Sequence, residues 1–167
     1  ILSILLGPAT VALAVPLYLN LRRIRQLFWP ILATLVVGGV VATSLGVLLG
    51  WWFGAEHMIL MTMAPKSVTS PIAMLVAEQI GGVAALAAVF VLITGVIGAI
   101  FGPGLLNRLG VHGPEARGMA LGMTAHAVGT SVALQESEEC GAFAALAMSL
   151  MGVATAVLLP LAVSLLV

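Results

Sequence analysis

The sequence contains no aspartate, one cysteine (Cys140) and few charges of either sign: six lysines and arginines against six glutamates in 167 residues, or 7% charged. Each scarcity excludes something. A single cysteine can form neither an intrachain disulfide nor a thiolate metal cage. The absence of aspartate argues against an exchanger built on paired buried aspartates, though not against Na⁺ held by backbone carbonyls. Zero net charge offers no basic surface for nucleic acid. There is no His-Glu-x-x-His, no Gly-x-Ser-x-Gly and no phosphate-cradling glycine loop, so catalysis is not expected, and neither is a cofactor or a metal.

What is present decides the solvent. Hydrophobic residues make up 62% of the chain and the mean hydropathy is +1.23, far from a soluble domain with about 25% charge. Uncharged runs cover Ile1 to Leu21, Gln26 to Ala55, Gln79 to Asn107 and Cys140 to Val167. Each is long enough to cross about 30 Å of hydrocarbon at roughly 20 residues per crossing. A membrane β-barrel would alternate polar and apolar residues, and these runs do not. The expected fold is an all-α, polytopic membrane protein forming a single transmembrane domain over residues 1–167. The chain opens at Ile1 inside a hydrophobic run, which leads to the expectation of an N-terminally truncated fragment.

Along the chain, Gly7-Pro8-Ala9-Thr10 and Pro16 predict a first segment kinked or interrupted near Pro8. Arg22, Arg23 and Arg25, flanked by Tyr18, Phe28 and Trp29, mark a cytoplasmic loop under the positive-inside and aromatic-belt tendencies. A plain helix is expected from Pro30 to about Gly50, with Gly38-Gly39, Ala42 and Ser44 as small packing surfaces and Trp51-Trp52-Phe53 at the opposite interface. Another is expected from Val83 to Phe101, ended by Gly102-Pro103-Gly104, and a last one from Gly141.

Between the plain helices lie two polar-interrupted segments, Glu56 to Gln79 and Arg117 to about Gln135. In the first, Ala64-Pro65-Lys66-Ser67-Val68-Thr69-Ser70-Pro71 puts two prolines, three hydroxyls and a lysine into an apolar stretch. Pro65 disfavours continuation of the incoming helix, and Ser70-Pro71 reads as N-cap and first position of a new one. At membrane depth, the amides and positive dipole end at Ser70 to Ala73, together with Lys66, would receive a small anion. Ser67, Thr69 and Ser70 serve equally as caps or as contacts. His126 lies in the second interruption, where an imidazole could carry a proton or donate a hydrogen bond. Glu78, Glu136, Glu138 and Glu139 flank segment ends and read as solvated or interfacial charge, with Glu78 and Glu138 as candidates for coupling or gating.

Laying residues 56–107 on 116–167 without a gap gives 11 identities in 52 pairs and sets Lys66 opposite His126 and Ser70 opposite Thr130, the pattern of an internal repeat of about 60 residues. Each interruption could cross as two half-helices or re-enter. Re-entry puts all five arginines on one side, as the positive-inside rule prefers, and makes the halves inverted.

Three stretches carry a resemblance: Pro65 to Ala73, Glu78-Gln79-Ile80-Gly81-Gly82 and Ala125-His126-Ala127-Val128-Gly129-Thr130. With Leu6 to Leu13, which includes Thr10, they resemble the LrgB/CidB family of membrane proteins over essentially the whole chain. The resemblance implies a multi-pass protein of the bacterial inner or plasma membrane. That family is described as holin-like or antiholin-like modulators of murein hydrolase activity and autolysis, with plastid relatives exchanging glycolate and glycerate and bacterial ones linked to pyruvate. It also implies an LrgA/CidA-type small membrane partner, and the chain is expected to form homo-oligomers in a lipid bilayer. Carried onto this sequence, the substrate-binding candidates are Lys66, Ser67, Thr69, Ser70, His126, Gly129, Thr130 and Ser131, with Glu78, Glu138 and Thr10 for coupling or gating. Some relatives carry a basic residue just after the Gly-Thr pair, where this chain has Ser131 and Val132. Two functions follow: a secondary carrier of small monocarboxylates, and a holin-like module that alters permeability.

Overall fold

A computed structural model describes residues 14–166; the predicted kink at Pro8 and the candidate Thr10 lie outside them. The described residues are helical, without strands. The elements are α1 (Ala14–Leu19), α2 (Leu21–Gln26), α3 (Phe28–Trp52), α4 (His57–Met63), α5 (Ser70–Gln79), α6 (Ala84–Arg108), α7 (Pro114–Glu136) and α8 (Glu138–Leu166). Among them α3, α6 and α8 are long and apolar enough to cross a membrane. The chain is an all-helical membrane protein.

Three boundaries differ from expectation. The arginine segment is the short helix α2 rather than a loop. Gly102-Pro103-Gly104 does not end α6, which continues to Arg108; a proline costs one hydrogen bond and crowds the carbonyl four residues back, and a 25-residue helix absorbs this near its end. The last helix starts at Glu138, three residues before Gly141.

The interrupted segments set the architecture. After α4 the chain unwinds through residues 64–69, and α5 returns beside α4: Ala64 packs with Val76 and Ile80, and the Val83 amide donates to Thr62 Oγ1 at 2.9 Å. In α7, His126 has φ 43° and ψ −125°, which splits the element into halves, residues 114–125 and 127–136, that lie against each other. Arg117 and Glu136 therefore touch at 2.7 Å. On a straight helix, 19 residues at about 1.5 Å each would hold them nearly 30 Å apart.

The two folded-back segments approach the long helices from opposite ends. On α3, Met119 packs near Ile31 and Met123 against Gly38, while Lys66 meets Gly46 and Leu60 meets Gly50. On α8, Gly118 and Gly122 sit on Cys140 and Ala144, while Ile72 meets Gly152. On α6 they arrive at the same turn: Val91 belongs to the cluster of Val68, Ala73, Ala77 and Ala87, and its carbonyl accepts from His126. The arginine ends converge as well, because Arg23 Nε donates to Glu115 Oε1 at 2.8 Å and Arg117 to Asn107 Oδ1 at 2.8 Å.

The Arg23–Glu115 pair ties α2 to the start of α7. A bond to a backbone amide and then the Arg23 guanidinium hold the Glu115 carboxyl below the usual carboxylate range. A folded-state pKa below the unfolded one stabilises at pH above the ordinary carboxylate value, and that contribution is lost as pH falls through the lowered one. With half the Arg23 side chain exposed, about 0.5 kcal/mol is expected. Melting curves of the detergent-solubilised protein and Arg23→Ala should differ slightly at pH 7, and the difference should shrink as pH falls below roughly the ordinary carboxylate range.

Candidate functional site

The first half of the site is built by the prolines. Pro65 follows the last turn of α4, where the Lys66 amide still reaches Met63 O at 3.0 Å and the Val68 amide Pro65 O at 3.3 Å. Thr69 is extended (φ −69°, ψ 149°) and α5 starts at Ser70. The N-cap is thus Thr69, one residue before the expected Ser70, because Pro71 suits the first turn rather than only its first position. Among the described residues no side chain caps this helix. The Ala73 amide bonds Thr69 O, and the Ser70 and Ile72 amides have no partner among the described residues. Ser67 is buried, and Thr69 and Ser70 are half-buried.

Lys66 leaves this bend toward α3. Its Nζ donates to Ala42 O at 3.0 Å, and Ala42 is the fifteenth of the 25 residues of α3. No carboxylate pairs with it among the described residues. Gly46 makes the contact feasible: a Cβ there would stand 2.8 Å from Nζ.

The second half is built by His126. Its Nε2 lies 2.9 Å from Val91 O, so that nitrogen carries the proton and donates. Gly95 leaves the space, since a Cβ there would stand 2.6 Å from the ring Cε1. The arrangement matches that of Lys66: each basic side chain reaches a main-chain carbonyl on a long helix, and the residue four positions later is glycine. In a helix the carbonyl of residue i accepts from the amide of i+4, and a missing side chain at i+4 uncovers its remaining lone pair.

The hydroxyl candidates beside His126 have internal partners. Thr130 Oγ1 donates to His126 O at 2.8 Å and Ser131 Oγ to Val128 O at 2.7 Å. Thr130 is buried and Ser131 exposed. A Cβ on Gly129 would overlap Leu121 O, so Gly129 is what lets the second half of α7 lie on the first. Glu78 and Glu138 are exposed at segment ends, away from these bends.

Sequence reasoning missed Arg117. It is 8% exposed and donates to both Glu136 carboxylate oxygens at 2.7 Å, to Asn107 Oδ1 at 2.8 Å and to Val111 O at 2.9 Å. Glu136, read as solvated or interfacial charge, is its partner and keeps a quarter of its side chain exposed. The signal was available: Arg117 and Glu136 stand nine residues before and ten after His126. Also unread was the small pair Gly118 and Gly122, which seats α7 on α8.

The chain is 38% identical over 156 residues to an uncharacterised protein of Haemophilus influenzae, covering 93% of this chain and 68% of that one. It is 40% identical over 149 residues to the uncharacterised protein YxaC of Bacillus subtilis, covering 89% and 65%. It is 32% identical over 160 residues to the antiholin-like protein LrgB of Bacillus mycoides, covering 96% and 70%. The chain thus spans about two thirds of the length of these relatives. No solved structure matches it. The model of the LrgB-like family matches residues 1–165, nearly the whole chain, and this helical membrane protein belongs to that family.

Proposed function

We propose that the chain is the substrate-handling part of a secondary carrier for small monocarboxylates in the bacterial inner or plasma membrane. The carrying observation is Lys66: an ammonium near mid-height of α3 that touches a neutral carbonyl and, among the described residues, no carboxylate. A lysine at such depth costs about 2.5–3.5 kcal/mol and is kept where it meets water, a partner or a substrate. The unpartnered Ser70 and Ile72 amides at the start of α5 add donors for an anion. Two bends approaching from opposite ends and meeting at Val91 suit alternating access, and they support reading the halves as inverted repeats.

In this scheme Lys66 and the α5 amides hold the carboxylate. Ser67, Thr69 and Ser70 sort the neighbouring oxygen, and His126 with Gly129, Thr130 and Ser131 supplies the opposite wall. Glu78 and Glu138 act at the two ends in coupling or gating. Pyruvate, glycolate or glycerate as substrate rests on the family resemblance. The exposed apolar face of α3 is where a second copy or an LrgA/CidA-type small protein would pack.

The name of one relative, the antiholin-like protein LrgB of Bacillus mycoides, supports a second reading, an antiholin-like module; regulation of murein hydrolase activity by it rests on the family resemblance. Uptake of labelled pyruvate or glycolate into proteoliposomes separates the two. Saturable uptake that falls tenfold or more in Lys66→Ala is expected, since a hydrogen bond to a charged group contributes about 1.5–3 kcal/mol. Leak of unrelated solutes that survives the substitution would instead favour the pore.

A further inference from the structure

Lys66 and His126 occupy equivalent seats. Ala42 O and Gly46 form one, Val91 O and Gly95 the other, each with acceptor and glycine four residues apart on a long helix. Each seat satisfies its side chain only in part. An ammonium has three donors and Lys66 uses one of them here. A helix carbonyl that already serves its own ladder is also a weaker partner than a carboxylate, which forms charge-assisted bonds.

We infer that the Ala42–Gly46 seat is the resting position of the Lys66 ammonium, that it competes with the substrate carboxylate for that ammonium, and that Gly46 is therefore a positioning residue that sets affinity. The inference rests on the carrier reading above. Substrate binding requires Nζ to leave Ala42 O, so the apparent dissociation constant equals the intrinsic one divided by the fraction of molecules in which Lys66 is free. Closing the seat removes the competitor.

Two substitutions close it differently. Gly46→Ala places a methyl 2.8 Å from Nζ and 2.9 Å from Cε, atoms at the far end of a flexible side chain that can swing away. Alanine also suits a helix interior better than glycine by about 0.5–1 kcal/mol, so the fold should hold. Gly46→Ser adds a hydroxyl that bonds back to the carbonyl four residues earlier, Ala42 O, and takes the acceptor itself.

The test is pyruvate binding to the full-length protein in nanodiscs by calorimetry, with uptake kinetics in proteoliposomes alongside. Both variants should bind pyruvate about threefold more tightly, as expected if Lys66 is seated in roughly two molecules of three. Uptake should show a lower half-saturation concentration together with a lower maximal rate, because release slows. A structural role alone would not move these two in that combination. Unchanged or weaker binding by folded variants overturns the inference while leaving the carrier reading intact. Failure of both variants to fold also overturns it, since the ammonium would then be unable to leave its seat. Binding that survives Lys66→Ala overturns the inference as well, since the ammonium would then not hold the substrate, whereas the absence of saturable binding and uptake in the unsubstituted protein sinks the carrier reading.

Discussion

Replacing Arg117 with alanine is expected to cost about 3 kcal/mol, the lower end of what removing one partner of a buried ion pair costs, because Glu136 keeps a quarter of its side chain exposed. The substitution strands the Glu136 carboxylate, the Asn107 amide oxygen and the Val111 carbonyl together. It also releases the base of α7, where the two halves are joined. Thermal unfolding in detergent should show the loss as a lower melting temperature, with Glu136→Gln milder because an amide still accepts one of the bonds. Arg117→Lys should fall between, since a point charge cannot reproduce the two parallel bonds to the carboxylate. Converting both residues to apolar ones, Arg117→Met with Glu136→Leu, should recover part of the loss, because it leaves no unpaired charge. A melting temperature unchanged in Arg117→Ala would mean that the pair does not hold the halves of α7 together.

Gly122→Val should be as damaging for a different reason. A Cβ at Gly122 would overlap Ala144 O and one at Gly118 would overlap Cys140 O, so α7 and α8 approach backbone to backbone along this line. Valine there forces the helices apart and opens the cluster of Leu121, Ala133, Cys140 and Ala144. Overpacking a close-packed core costs about 1–3 kcal/mol, and a clash against rigid backbone lies at the upper end. The measurement is the yield of monodisperse protein after extraction, with Gly104→Val as the control, since a Cβ at Gly104 meets nothing within 4 Å. Equal yields from the two variants would contradict the contact.

The parts of this architecture that were legible in the sequence are those that local chemistry dictates. Prolines at 65 and 71 announced the first interruption, because a missing amide and a fixed φ act on the residues beside them. Hydropathy announced α3, α6 and α8. The second interruption contains neither proline nor glycine at the turning residue; its pointers were the polar residues between Arg117 and Gln135 and the register that set His126 against Lys66. What could not be read was tertiary: that Arg117 would meet Glu136, and that glycines 46 and 95 would face Lys66 and His126. Glycine in an apolar helix looks the same whether it accommodates a neighbouring helix, a ring or an ammonium. The shift of the cap from Ser70 to Thr69 is smaller in kind, since both residues suit the position and only the backbone angles choose.

The height of Lys66 along α3 has an electrical consequence. In an energised membrane spanned by α3, a charge level with its fifteenth residue of 25 stands roughly halfway through the voltage drop. Full transit of one charge is worth about 2.3 kcal/mol per 100 mV. In the carrier proposed above, an empty site carries that positive charge alone, whereas a site holding a monoanion is neutral, so voltage should bias the return of the unloaded protein and leave the loaded one almost untouched.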